Sequence, residues 1–442
     1  MKHFLLLLAC LMSFTALAQS DEQEQILSTA YQMIQRSEAF SKSFTGFALY
    51  DPAAERMLLD INADRYFTPA SNTKILTLYT TLKVLGDSMP AFRYASSGDT
   101  LIFWGTANPM FLNPKLPQDT NSLSVLRDST CELFFSTHNF KDKRYGPGWA
   151  WDDYNYDFQV EKSSFPIYGN LAYFGRERMR EGFTAYPPYF QSRLVFNPRM
   201  ENGRPEVARQ EGRNVFEYNE AALSGRPFYQ EVPFNTSPEV IAELLSDTLG
   251  QPVQLMDLGS MPPMAATTHR VHLPDTVLRR MMQESDNFLA EQLLLACAEK
   301  LSGSQSAMQA IRYAKDSLFS SLEDELLWRD GSGLSRYNLF TPRALVQVLS
   351  LLYRDVERER LLSLFPAGGV SGTLKRYYRG GRQPYIYAKT GTLSNRHCLS
   401  GYLITDSGRT LIFSFMHNNY VQGTVPIKRD MEQVLRYLRQ RL

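Results

Sequence analysis

Hydrophobic and polar positions alternate along this chain in three distinct regimes. A polar, amphipathic start over Gln23–Ser37 predicts a helix, and Gly46–Tyr50 and Arg56–Asn62 read as two short strands around the Asp51-Pro52 turn. After Pro69, residues Ile75, Leu78, Tyr79, Leu82 and Leu85 recur at helical spacing and Gly86 supplies the stop. Ser71 and Lys74 therefore fall in the first turn of that helix, three residues apart on one face. From about Phe92 to Met264 the pattern breaks up. That stretch is rich in Tyr, Phe, Trp, Pro and Asn, with strand-like pieces such as Leu101–Trp104 and many turn signals.

Helical periodicity returns at Thr276–Glu284 and Phe288–Lys300, so Ser285-Asp286-Asn287 sits at the joint between two helices. A glycine-serine loop follows at Asp330–Asn338, then a helix over Pro342–Tyr353. Tyr385–Lys389 is strand-like, Leu399–Thr405 and Thr410–His417 form two strands joined at Asp406-Ser407-Gly408, and Lys428–Leu442 is an amphipathic helix. Both ends of the chain thus feed one mixed sheet in an α+β protein. The expected organisation is a discontinuous domain of residues 19–91 and 265–442, interrupted by a strand-rich insertion over 92–264.

A chain of 442 residues, 43% hydrophobic, can fill two or three cores. Residues 1–18 belong to none of them. Lys2 and His3 precede the apolar run Phe4–Met12, and Ala16-Leu17-Ala18 forms a cleavage site before Gln19, the pattern of a secretory signal peptide. The run is too short to span a bilayer, and no later stretch qualifies as a transmembrane segment. Leu7-Leu8-Ala9-Cys10 has some lipobox character, but it sits so early that lipid anchoring at Cys10 is the weaker reading. Loss of this peptide leaves 46 basic and 46 acidic side chains, which gives no reason to expect a nucleic-acid or anionic-membrane partner. Cys131, Cys297 and Cys398 then remain, odd in number and without a C-x-x-C pair, and no H-E-x-x-H is present. Neither a disulfide framework nor a metal or other cofactor is expected. His397 reads as a strand side chain, and Trp149 and Trp151 as packing in the insertion's core.

Three short strings carry chemistry: Ser71-Asn72-Thr73-Lys74, Ser285-Asp286-Asn287 and Lys389-Thr390-Gly391. Together they supply a hydroxyl, an amine to deprotonate it, a second hydroxyl and amide, and a cationic strand, the parts for acyl transfer through a serine ester. A serine hydroxyl is a weak nucleophile without an adjacent base. Lys74 can serve only if its pKa falls by roughly three units, a cost near 4 kcal/mol, through burial and nearby positive charge such as Lys389. Ser285 suits a proton relay to the leaving amine, and Asn287 suits the orientation of Lys74 and a substrate amide. Gly391 would let a substrate backbone lie close to the strand, and Lys389 and Thr390 would meet a free carboxylate. A backbone N–H just past the glycine can face an oxyanion.

In order and in surroundings these strings resemble the signatures of the penicillin-recognising serine enzymes. More closely, Pro69–Lys74 (PASNTK), Glu284–Leu294 (ESDNFLAEQLL), Asp330–Asn338 (DGSGLSRYN), Gly368–Leu374 (GGVSGTL) and Ala388–Leu393 (AKTGTL) resemble the D-alanyl-D-alanine carboxypeptidase/endopeptidase family, the low-molecular-mass class C penicillin-binding proteins. The resemblance covers the mature chain, loosely in the insertion. It implies the β-lactamase-like transpeptidase fold, an antiparallel sheet flanked by helices plus a helical part, and a periplasmic DD-peptidase. Ser71 would be the acylated nucleophile and Lys74 the base, with Ser285 and Asn287 completing the relay. Lys389 and Thr390 would bind the substrate carboxylate, and the N–H groups of Ser71 and Thr392 would form the oxyanion hole. The implied partners are peptidoglycan stem peptides ending in D-Ala-D-Ala, with β-lactams as inhibitors. Asp330, Gly331 and Ser332 are read as a structural turn. Two alternatives stay open: a serine β-lactamase, though no E-x-x-L-N lies between Ser71 and Ser285, and a non-catalytic wall-binding protein of the same fold.

Overall fold

The computed structural model describes residues 21–176, 183–204, 206–223, 227–259 and 265–442. The expected signal peptide lies outside them. Among the described residues no helix is long and apolar enough to cross a membrane.

The central sheet runs in the order Ile386–Leu393, Arg396–Ile404, Thr410–Asn418, Phe44–Asp51, Arg56–Ile61. Every neighbouring pair is antiparallel, where the sequence pattern suggested a mixed sheet. Phe44–Asp51 pairs with Thr410–Asn418, with Phe47 opposite Phe415, so the two ends of the chain close one sheet. Both faces are covered. Along Thr410–Asn418, Leu411, Phe413 and Phe415 enter a core shared with the helices 21–36 and Thr424–Arg441. Ile412 and Met416 enter the opposite core, beneath the helices Thr73–Val84 and Pro342–Asp355. Each such side chain contributes about 1.5–3 kcal/mol of burial, which makes this sheet a rigid frame for whatever its edge carries.

Asp275–Gln283 and Asn287–Ser302 pack beside Thr73–Val84. Asp286 caps the longer helix by accepting the Leu289 N–H at 3.1 Å. Because the middle residue of the Ser285–Asn287 string does the capping, its two neighbours are free for other work.

The stretch expected as a strand-rich insertion carries three sheets together with helices. A second sheet, ordered Val253–Leu255, Glu132–Ser136, Thr100–Gly105, Ser88–Ser97, Thr267–His272, crosses both expected boundaries at 92 and 264. Its first three strands are parallel, and the helices Thr120–Arg127 and Pro238–Leu249 lie along their connections. Two three-stranded sheets complete it, one centred on Phe216–Tyr218 and one on Leu171–Arg176. The helix Pro238–Leu249 carries ordinary end signals that the aromatic composition obscured: Ser237 caps it, Pro238 opens it, and Gly250 ends it at φ 73°. Trp151 is 76% exposed and so lies outside the core expected for it, whereas Trp149 is half-buried and turned toward the Asp330 loop.

Candidate active site

Ser71 lies in a short 3₁₀ turn, Ala70–Asn72, that feeds directly into the helix Thr73–Val84. Ala70 holds φ at 48°, a left-handed backbone that costs a non-glycine residue on the order of 1–3 kcal/mol. Two clamps keep it there. Asn72, fully buried, donates from Nδ2 to the Lys389 carbonyl (2.8 Å) and accepts from Ser400 Oγ (2.6 Å), tying the turn to two strands of the central sheet. Gly333 presses on the other side: a Cβ there would stand 1.9 Å from the Ala70 carbonyl oxygen, and its φ is 85°. Gly333→Ala is therefore expected to displace the Ser71 turn and slow acylation of its hydroxyl at least about tenfold, since small misplacements of a reacting group can cost a hundredfold. Acylation kinetics together with thermal melting check this; a variant that acylates at the wild-type rate contradicts the clamp.

Gly391 needs its missing side chain for the protein's own packing. A Cβ at Gly391 would come within 2.6 Å of the Pro69 carbonyl oxygen and 3.0 Å of the Ser71 nitrogen. The close approach is to the turn that carries Ser71. It also draws the strand Ile386–Leu393 up against the Ser71 backbone.

Lys74 is completely buried, whereas Ser71 is partly exposed. Its Nζ donates to Ser71 Oγ at 3.0 Å, Asn287 Oδ1 at 2.5 Å and the Ser332 carbonyl at 2.7 Å. Burial brings its pKa down to about 8, while the carboxylates of Asp330, Glu291 and Asp286 pull it back up. The depression expected from the sequence is present: burial, one of its two expected causes, accounts for it, and nearby carboxylates oppose it.

Lys389, also fully buried, donates to Ser285 Oγ and to the Thr390 carbonyl, both at 2.9 Å. Burial first, and then the like charge of Lys74, push its pKa well below the usual lysine value. Ser285 sits at φ 62°, a second strained non-glycine residue at the site. Asn287 donates from Nδ2 to the Phe158 carbonyl of the insertion at 2.8 Å, which leaves its Oδ1 facing Lys74. The structure thus brings these residues into two adjacent hydrogen-bonded groups, Ser71 with Lys74 and Asn287, and Ser285 with Lys389, with the two lysines close enough for their charges to interact. Thr390 flanks them, donating to Thr373 Oγ1 at 2.7 Å. The Thr392 hydroxyl turns to His397 Nδ1 at 2.9 Å, so only its backbone is left for the site. His397 is a buried strand residue, its pKa driven by burial down to about 3.

The Asp330–Asn338 loop does more than turn. The Ser332 carbonyl holds Lys74 directly, and the Gly331 carbonyl accepts from Thr77 at 2.6 Å. Glu291 and Thr373 were not singled out from the sequence. Glu291 had a signal, standing one helical turn after Asn287, and Thr373 lies within the Gly368–Leu374 string.

The turn carrying Ser71, the buried Lys74 and the edge strand bearing Lys389 together make one candidate active site on this sheet. A family model for the D-Ala-D-Ala carboxypeptidase 3 (S13) family matches residues 28–440, and the chain belongs to that family. Its activity class is accordingly serine-type D-Ala-D-Ala carboxypeptidase, a hydrolase. Among curated proteins it is 23% identical over 448 residues to D-alanyl-D-alanine carboxypeptidase DacB of Haemophilus influenzae, covering 90% of each chain. Carboxypeptidase DacB of Mycolicibacterium smegmatis is 35% identical over 151 residues, 32% of this chain and 33% of that protein. Among solved structures, penicillin binding protein 4 (dacB) from Haemophilus influenzae superposes with a TM-score of 0.75 at 20% identity, covering 94% of this chain and 99% of that one. The same protein complexed with a β-lactam gives a TM-score of 0.68 at 18% identity, with the same coverage.

Proposed function

We propose that this protein hydrolyses peptidoglycan stem peptides ending in D-Ala-D-Ala through an acyl-Ser71 intermediate, and that β-lactams acylate the same serine. One observation carries the residue roles: Lys74 Nζ has three partners, of which only one can donate. A neutral amine has two N–H groups and one lone pair. Asn287 Oδ1 and the Ser332 carbonyl can only accept, so they take the two N–H groups. The lone pair then falls on the Ser71 hydroxyl, and Lys74 is aimed as its base.

Ser71 Oγ gives its proton to Lys74 and attacks the carbonyl carbon of the penultimate D-Ala. The resulting oxyanion is met by the backbone N–H groups of Ser71 and Thr392, a role supported by the tight packing of Gly391 on the Ser71 turn. The proton returns, with Ser285 as relay, to the amine of the departing D-Ala as the C–N bond breaks. Water then hydrolyses the ester and restores Ser71. Lys389 and Thr390 would receive the terminal carboxylate. Two buried amines side by side disfavour double protonation, and an arriving carboxylate would draw the proton back onto Lys389.

Acylation is expected to follow the neutral fraction of Lys74. The rate rises about tenfold per pH unit on the acid side and levels off near pH 8. Stopped-flow acylation by benzylpenicillin across pH checks this; a limb near 6 or above 10 contradicts it. We also propose that residues 88–272 form the inserted unit, supported by the sheet that closes Ser88–Ser97 against Thr267–His272. Export to the periplasm rests on the signal-like residues 1–18. The function is tested by incubating the purified mature chain with a stem peptide ending in D-Ala-D-Ala and measuring free D-Ala. Stoichiometric release, blocked by benzylpenicillin, is expected; no release contradicts the proposal.

A further inference from the structure

Beside Lys74 lies a buried carboxyl for which the acyl-transfer scheme has no use. Glu291 is 1% exposed and stands one helical turn after Asn287, so both residues face Lys74 from the helix Asn287–Ser302. Its Oε1 accepts the Ser332 N–H at 2.7 Å, while Oε2 has no partner among the described residues. The loop it grips is the one whose Ser332 carbonyl holds Lys74. Asp330, 1% exposed, grips the same loop with both oxygens fully used: Gly333 N–H (2.9 Å) and Asn338 Nδ2 (2.7 Å) on one, Ser335 N–H (2.6 Å) and Trp149 Nε1 (2.9 Å) on the other. The Gly333 N–H and the Ser332 carbonyl belong to one peptide group, so a carboxylate polarises the carbonyl that binds Lys74. The charged groups facing Glu291 are Lys74 from the nucleophile helix, Asp330 from the loop and Lys162 from the insertion. Lys162 is 3% exposed and paired to Asp142 at 2.9 Å. Burial and Asp330 hold Glu291 far above the usual carboxylate range, at about 7, against the pull of Lys162.

We propose that Glu291 is a positioning residue for the acylation base: it braces the loop that holds Lys74 and sets how readily Lys74 gives up its proton. Through Lys162 and the Trp149–Asp330 bond, the insertion is coupled to the same adjustment. The proposal rests on the reading of Lys74 as the base.

Glu291→Gln is the direct test. The amide oxygen still accepts the Ser332 N–H, the NH₂ replaces an oxygen that has no partner, and the negative charge is lost. The acid limb of the benzylpenicillin acylation profile is expected to move to lower pH by about one unit, because a group that favours charged Lys74 is gone. A purely structural role would lower the rate at every pH and leave the limb where it is, and that result overturns the proposal. A second measurement does not depend on that variant or on catalysis. Carboxyl-carbon NMR titration of Glu291 in the wild type and in Lys74→Met must show its midpoint rise in the variant, since coupling is reciprocal. An unmoved midpoint overturns the proposal. Failure of the wild type to acylate would sink the reading of Lys74 as base, whereas the NMR arm would still report whether the two groups are coupled.

Discussion

Replacing Ser71 with alanine is expected to abolish D-Ala release, with a loss in kcat on the order of 10⁶-fold, as for the nucleophile of other serine hydrolases. The geometry makes the loss specific. Ser71 Oγ is bonded to Lys74 and the residue is partly exposed, so removing the hydroxyl opens no core cavity. Lys389, Thr390 and the Ser71 backbone stay in place, so KM for a D-Ala-D-Ala peptide changes little. Steady-state kinetics with a melting curve check the split. A variant that keeps more than a trace of activity would mean that some other group is acylated.

Lys74→Met is the second large effect. Methionine nearly matches the lysine in length and burial but offers no lone pair to take the Ser71 proton. Acylation is expected to slow by about 10²–10⁴-fold, the usual worth of a positioned general base. The Asn287 amide oxygen and the Ser332 carbonyl lose a donor, costing about 1–3 kcal/mol each, offset in part because an amine no longer has to be buried. Lys389 loses the like charge that depresses it and so binds a carboxylate at least as well as before. The expected signature is a fall in kcat without a rise in KM. The reverse pattern, weak binding with normal turnover, would make Lys74 a substrate ligand and not a base.

The parts of the site carried by local spacing were legible in the sequence. Ser71 and Lys74 share one helical face because of their separation by three, and Ser285–Asn287 sits at the break between two apolar periodicities. The last two strands were readable as apolar runs joined at the Asp406-Ser407-Gly408 turn, and only the fold shows that Leu411, Phe413 and Phe415 face one core and Ile412 and Met416 the other. What local pattern cannot report is which group lies across a gap. Gly391 reads locally as room for a substrate backbone, and the Ser71 turn packed against it is visible only in the fold. Burial of Lys74 was expected, but the carboxylates of Asp330, Glu291 and Asp286 that oppose its effect were not, because they converge on the lysine only in the tertiary packing. In the insertion, abundant aromatic residues and turn signals suggested a strand-rich module, yet Ser237-Pro238 and Gly250 mark a helix by cap chemistry alone.

The central claim is that Ser71 is the residue acylated. Intact-mass analysis of the mature protein after incubation with benzylpenicillin, followed by peptide mapping, addresses it directly. One penicilloyl group on the peptide containing Ser71, absent in Ser71→Ala, is the result this account requires. An adduct on another residue, or none together with no consumption of penicillin, would contradict it.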